Sequence, residues 1–435
     1  MKRNICLFLA ACVALLNSCT TTGPVGLFGK RSPHEQYGQK LSNAGLNETA
    51  LGRSWFKAAE ASLNNPLQIT IPHKEAGYFP ADKPRASALR FEVKRGERIT
   101  IDLQKKPLTN FNIYIDLWEV KDSKNKKLLA YADTGGNAFS HEVEDSGFYI
   151  IRLQPELLAA GEFTLTISKG PSLAFPVKGG KIGSLWGADR DGGLRSHEGI
   201  DIFAPKRTPA LAAADGTISR VTTNQLGGKV IFMRPKGKNY SLYYAHLDEQ
   251  LASAGETVKT GDTIGLVGNT GNAISTAPHL HLGIYTTGGA IDPLAFVNPV
   301  TKPAPDIKAL LTNLGKYMRT NKPVVLKNGT QKSSEAIASL KSGTLVEVSS
   351  ASQNVYKAIL PDGSYGFLPA SSLNQLNNPI KRIHLSAEKQ LFDKPQSSAP
   401  RISVLTPTTR VNVLASYNEF YYVEAEEERG WITQE

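Results

Sequence analysis

Between Ala88 and Ser168 apolar residues return at every second position, in Leu89-Phe91-Val93, Ile99-Ile101-Leu103, Ile113-Ile115-Leu117, Phe148-Ile150 and Phe163-Leu165-Ile167. A period of two sends alternate side chains to opposite faces of an extended chain, so such runs bury their apolar face only by pairing and stacking as sheets. Turn clusters such as Thr134-Gly135-Gly136-Asn137 separate them. Strands of about six residues broken at this rate suggest a β-sandwich. The 38 Gly and 25 Pro are spread along all 435 residues, which favours short elements and loops over long helical repeats. With 40% hydrophobic and 20% charged residues, disordered and collagen-like chains are excluded.

The N-terminus sets the compartment. Lys2 and Arg3 precede an apolar run from Ile5 to Leu16, too short to span a bilayer and typical of an export signal. The three cysteines, Cys6, Cys12 and Cys19, lie in or directly after it, so no disulfide or thiolate metal site is expected downstream. Leu16-Asn17-Ser18-Cys19 resembles the lipobox of bacterial lipoproteins. That resemblance implies a signal peptide over 1–18, acylation of Cys19 and attachment of the exported chain to a membrane. Residues 19–45 read as a polar tether. The formal charge of +11 favours a polyanionic setting such as an acidic wall or lipid surface. Export, and the lack of a dense Arg/Lys stripe or helix-turn-helix signal, speak against nucleic acid as the partner.

The organisation is mainly β. Residues 46–172 are expected to form a short helix, with Leu51, Trp55, Ala59 and Leu63 at four-residue spacing and Glu48 in its first turn, followed by the sandwich. The sandwich resembles the small jelly-roll domains that accompany secreted bacterial peptidases. A second β block spans 173–300. Thr301-Lys302-Pro303-Ala304-Pro305 opens a linker over 301–320, with a helix expected through Ile307, Leu310, Leu311 and Leu314. The remainder holds a diverged repeat, 321–378 and 379–435, each copy closing on Gly-aromatic-aliphatic runs, Gly366-Phe367-Leu368 and Gly430-Trp431-Ile432. These copies resemble bacterial Src-homology-3-type barrels, which commonly bind cell-wall peptides.

Of eight histidines, His197, His246, His279 and His281 fall within one short window, while His34, His73, His141 and His384 stand apart and read as surface or loop residues. His197 and Asp201 are four apart among β-branched residues, and His279 and His281 are two apart, so on strands each pair shares a face. Leu280 and Leu282 then point to a core. Two such strands side by side gather His197, Asp201, His279 and His281 in one polar pocket. A divalent cation makes a buried imidazole cluster favourable. Three ligands with an open position is the pattern of catalytic zinc, whereas a closed set of four would be structural.

The spacing His197-x-x-x-Asp201 followed by His279-x-His281 resembles the lysostaphin and LytM-type family of zinc metallopeptidases. The resemblance runs from Ile182 to Val297 and includes Trp186-Gly187, Gly199-Ile200-Asp201-Ile202, Ala214-Asp215-Gly216, Tyr244-Ala245-His246-Leu247 and Asp292-Pro293. It implies an antiparallel β-sheet groove, Zn2+ held by His197, Asp201 and His281, and His279 as general base for the attacking water. His246, on the Tyr240-Leu242-Tyr244 face of its strand, would orient that water or stabilise the oxyanion. The activity implied is hydrolysis of peptide cross-links in peptidoglycan, with the peptide stems as substrate. The alternative is a non-catalytic or autoinhibited wall-binding scaffold that activates other hydrolases, its groove covered by residues 46–172. Gly283, where an acidic residue is common, Ala277, where Gly is usual, and a slightly long Asn272-Ala273-Ile274 segment depart from the family pattern.

Overall fold

The computed structural model describes residues 31–122, 124–133 and 138–434. The export signal, the lipobox with Cys19 and the start of the tether lie outside the described residues. Among those described, no helix is long and apolar enough to cross a membrane.

The tether reading fails over its second half, where Pro33–Asn43 is a helix. Ser32 caps it and Glu35 returns the bond to the Ser32 amide, the reciprocal arrangement that satisfies two orphan donors at a helix start. This helix packs on a second, Ala50–Asn64, whose N-cap is Thr49, with Glu48 in a separate short turn before it. The buried face of the second helix is Gly52, Trp55, Ala59 and Ser62, while Leu51 is left exposed. The buried Trp55 indole donates to Pro155 O at 2.9 Å, and the Gln154 amide donates to Trp55 O at 2.8 Å, fastening the second helix to the sandwich. His34 is therefore no surface residue. It stacks on Trp55 at 4.8 Å and meets Gln154 at 2.6 Å. His73 is also buried, on the strand His73–Phe79, and His141 is half-buried on Ala138–Glu142. His384 is exposed, as expected.

One sheet of the sandwich runs in the order Leu67–Gln68, Ser87–Val93, Gly147–Pro155, Ile113–Val120 and Lys126–Tyr131. The other contains His73–Phe79, Gly161–Pro171, Glu97–Lys106 and Ala138–Glu142. The alternating residues read from sequence, among them Leu89, Ile99, Ile101, Leu117 and Leu165, form the core between them.

The second sheet does not stop at its edge. His73–Phe79 pairs antiparallel with Leu345–Ser352, Ala76 opposite Ala351 and Gly77 opposite Ser350, so sandwich and first C-terminal unit share one sheet of eleven strands. Pairing with another unit disposes of an otherwise unpaired strand edge. The buried Lys357 ammonium donates to Glu75 at 2.9 Å and to Ser87 at 2.7 Å across this seam, and Arg85 grips Glu347 with two bonds of 2.8 and 2.7 Å. The linker reading of 301–320 fails with it: Tyr317–Thr320 is a strand of the same sheet, and Ile307, Ala309 and Leu314 enter the C-terminal core. The helix expected through 307–314 is reduced to one turn, Leu311–Asn313. The amides of Lys308 and Ala309 donate instead to Gln353 O at 2.8 Å, so tertiary bonds replace helical ones. The last unit is a six-stranded antiparallel sheet from Lys381 to Thr433 with its own core.

The block after the sandwich is built on an antiparallel sheet in which Ile200–Phe203, His279–Thr286, Ser241–Gln250, Gly228–Pro235 and Gly216–Asn224 are successive neighbours. Ile200, Ile202, Leu242, Tyr244, Leu280 and Leu282 form its core on one face. The sandwich abuts it closely: a Cβ on Gly96, whose φ is +88, would meet the Phe296 ring at 2.3 Å. Lys238 holds Glu142 across the same junction, and Arg98, paired with Glu142 within the sandwich, holds it from its own side.

Candidate metal centre

Asp201 stands opposite His281, and Phe203 opposite His279, in the antiparallel pairing of Ile200–Phe203 with His279–Thr286. Directly paired residues share a face, so Asp201, His279 and His281 emerge together on the side away from the Leu280 and Leu282 core. His197 reaches the same place by another route. The strand begins only at Ile200, so His197 is not an extension of it. His197 lies after a two-strand turn, Asp189–Arg190 against Arg195–Ser196, and is held by backbone bonds to Ala188 and Gly187. The chain bends at Gly199, where a Cβ would lie 2.6 Å from His281 Cε1 and Nε2. Only glycine leaves the His281 ring its place.

His246 corrects the face assignment made from alternation. Its neighbours Leu242 and Tyr244 are fully buried in the core, and the Tyr244 hydroxyl accepts from the Ala213 amide at 2.9 Å. Strict alternation would bury His246 beside them. The register slips around His246 instead, and the residue adopts φ +61, a left-handed conformation that costs a non-glycine residue roughly 1–2 kcal/mol. The bulge re-aims the imidazole onto the groove face, 5.0 Å from the His279 ring and 5.8 Å from the His281 ring.

The atoms that converge are His197 Nε2, Asp201 Oδ1 and His281 Nδ1, each 3.0 Å from the other two. His279 Nε2 lies 3.8 Å from the same Asp201 oxygen. A carbonyl oxygen only accepts, so the bonds from Nδ1 of His197 to Leu185 O (2.8 Å), of His246 to Thr270 O (2.9 Å) and of His279 to Ala277 O (2.8 Å) place the ring proton on Nδ1. In His197 and His279 the other ring nitrogen, Nε2, is thereby the one turned towards Asp201 Oδ1. Burial, then the His281 and His279 rings beside it, hold His246 down at about 4 against an ordinary 6.5, so it is neutral at neutral pH. Burial also lowers His281, although Asp201 opposes the shift. Burial alone would raise Asp201, but hydrogen bonds with His197 and His281 outweigh it and hold the carboxyl well below the usual carboxylate range.

The donor set fits a divalent cation. One ionised carboxylate oxygen and two imidazole nitrogens within a 3.0 Å triangle suit the bond lengths of roughly 2.0–2.2 Å that zinc makes to such ligands. Outer support comes from backbone carbonyls and from Arg190, a residue without a spacing signal in the sequence, which donates to Asp201 Oδ2 at 2.6 Å and to Ser184 Oγ at 2.9 Å. The glycine at 283 has a local reason, since a Cβ there would press on Tyr285 at 2.8 Å and on Glu198 O at 3.3 Å.

An antiparallel sheet that presents a histidine–aspartate–histidine cluster with two further imidazoles beside it defines a metallopeptidase type of centre. Residues 195–293 match the model of Peptidase family M23, and the central block is a domain of that family. The chain is 32% identical over 177 residues to an uncharacterized metalloprotease of Haemophilus influenzae, covering 41% of this chain and 35% of the relative. It is 39% identical over 97 residues to the peptidoglycan DD-endopeptidase ShyC of Vibrio cholerae, covering 22% of each. The chain thus spans between 22% and 35% of these curated relatives' length. Among solved structures, the catalytic domain of the antimicrobial peptidase lysostaphin from Staphylococcus simulans is 31% identical, covering 27% of this chain and 92% of that one, with a TM-score of 0.25.

Proposed function

We propose that the protein is a zinc-dependent endopeptidase that hydrolyses peptide cross-links of peptidoglycan, exported to the cell envelope and anchored to a membrane through acylated Cys19. The observation that carries the reading is the convergence of His197, Asp201 and His281 on one point with the imidazoles of His246 and His279 beside it. His197, Asp201 and His281 would hold the zinc, which supplies a Lewis acid able to polarise a carbonyl and lower the pKa of a water. The chain's own residues do the rest. His279 Nε2 accepts the proton of the attacking water and returns it to the leaving amine. Neutral His246 is turned to the same side by its backbone and stands where it can orient the water or steady the developing oxyanion. The match to Peptidase family M23 and the relative named as a peptidoglycan endopeptidase support the choice of substrate.

Purified peptidoglycan digested with the protein plus zinc, with chelator, and with His279→Ala, followed by mass analysis of the fragments, tests the reading. Cleaved stem peptides only in the first arm are expected. Unchanged muropeptides in all three arms would leave the wall-binding scaffold as the function.

A further inference from the structure

The groove face of the central sheet continues beyond the metal centre. Gly283, Tyr243, Phe232 and Arg220 are successive cross-strand partners on four neighbouring strands, the first of them the strand of His279 and His281. Tyr243 meets the His281 ring edge-on at 6.0 Å and lies 4.8 Å from the Phe232 ring, and the Arg220 guanidinium sits over Phe232 at 4.2 Å. Tyr243 and Phe232 are half-buried and Arg220 is exposed, so the row is an open floor. Arg220 joins it against the parity of its own strand. Ile218, two residues earlier, is fully buried opposite Met233, and strict alternation would send Arg220 into the same core. The register slips between the two and turns Arg220 to the groove face, as a second slip does for His246. Bulges beside active sites commonly re-aim a side chain in this way.

A guanidinium stacked on a ring keeps its N–H edge for a planar acceptor, which a carboxylate matches with two parallel bonds. Arg220 forms no ion pair among the described residues, and the row has no carboxylate of its own, since Gly283 contributes no side chain. Neighbouring strands lie about 4.8 Å apart, so Arg220 stands about 14 Å across the sheet from the strand of His279 and His281, the span of about four extended residues. We propose that Tyr243, Phe232 and Arg220 form a substrate subsite of the metal centre, the aromatic faces carrying apolar atoms of an extended peptide and Arg220 taking a free carboxylate about four residues from the bond that is cut. The subsite rests on the peptidase reading of the metal centre and gives it a preference, for cross-linked stem peptides with free carboxylates over their amidated forms.

The test is the steady-state cleavage, by the full chain with zinc, of a synthetic cross-linked stem-peptide dimer with free carboxylates and of the same dimer with every carboxylate amidated. The free dimer should be preferred by about tenfold in kcat/KM, the worth of a hydrogen bond to a charged group, with the difference in KM rather than kcat. Arg220→Gln should abolish the preference, and Arg220→Lys, which keeps the charge without the fork, should restore part of it. Circular dichroism should show the sheet intact in both variants, because the side chain is exposed. Equal kcat/KM for the two dimers, or an undiminished preference in Arg220→Gln, would overturn the subsite and leave the hydrolase reading standing. Isothermal titration of His279→Ala, with and without Arg220→Gln, separates the reverse case. If neither dimer is cleaved but the free one binds more tightly and Arg220→Gln removes the difference, the subsite stands and the hydrolase reading falls. Binding without that difference, or no binding of either dimer, ends the subsite.

Discussion

Asp201 and His281 are paired across two antiparallel strands with Oδ1 and Nδ1 3.0 Å apart. Two of the three candidate ligands are thus fixed by sheet register rather than by loops, and a metal bound there is expected to depend on both. His281→Ala should reduce bound zinc from about one ion per chain towards none, because a three-ligand site reduced to two is weak. Elemental analysis after dialysis checks this, with circular dichroism showing that the sheet persists. Full zinc retention would move the metal elsewhere.

Gly199 offers a subtler probe of the same pair. A methyl group there would sit 2.6 Å from the His281 ring and from Leu282 O, so Gly199→Ala must displace the ring or part the strands. Disturbing the support of a metal ligand typically costs about 10–100-fold in affinity. Competition with a zinc chelator should show a loss of that order with all three ligands still present.

For His246 the backbone and the imidazole can be separated. Asn tolerates the left-handed conformation better than most residues, so His246→Asn keeps the bulge while removing the imidazole. Zinc content should be unchanged, and the rate of peptidoglycan digestion should fall by about 10²–10³, the loss usual for an oxyanion-stabilising donor. Loss of zinc instead would assign His246 to the ligand set.

Acid stability should report the seam between sandwich and C-terminal unit. Burial alone would raise Glu75, but Lys357 at 2.9 Å dominates and pulls the carboxyl down to about 2 from 4.5, while His73 stands 3.7 Å off, beyond hydrogen-bond reach. A depressed carboxyl contributes stability above its unfolded value and loses it as protons return. The contribution is therefore whole above pH 4.5 and fades as pH falls towards 2. Urea unfolding between pH 7 and pH 2.5 should show this decline, and a Glu75→Gln, Lys357→Met double variant should flatten it. Lys357→Met alone leaves a buried carboxylate unpaired and should cost about 3–5 kcal/mol at pH 7.

The sequence by itself determined the alternating strands of the sandwich, the placing of Leu280 and Leu282 in a core, and the pairing logic that brings Asp201, His279 and His281 to one face. Side-chain direction along a strand depends only on the parity of position, so these were readable without coordinates. The helix at Pro33–Asn43 was equally written in its capping residues, although composition made it look like a tether. Only the tertiary structure decided the rest. His246 faces the site because a bulge reverses its parity, Arg190 arrives from a turn with no spacing signal, and Gly77 pairs with Ser350 across more than half the chain. Each depends on which backbone lies alongside which, and that choice is made by packing between segments that no local pattern encodes.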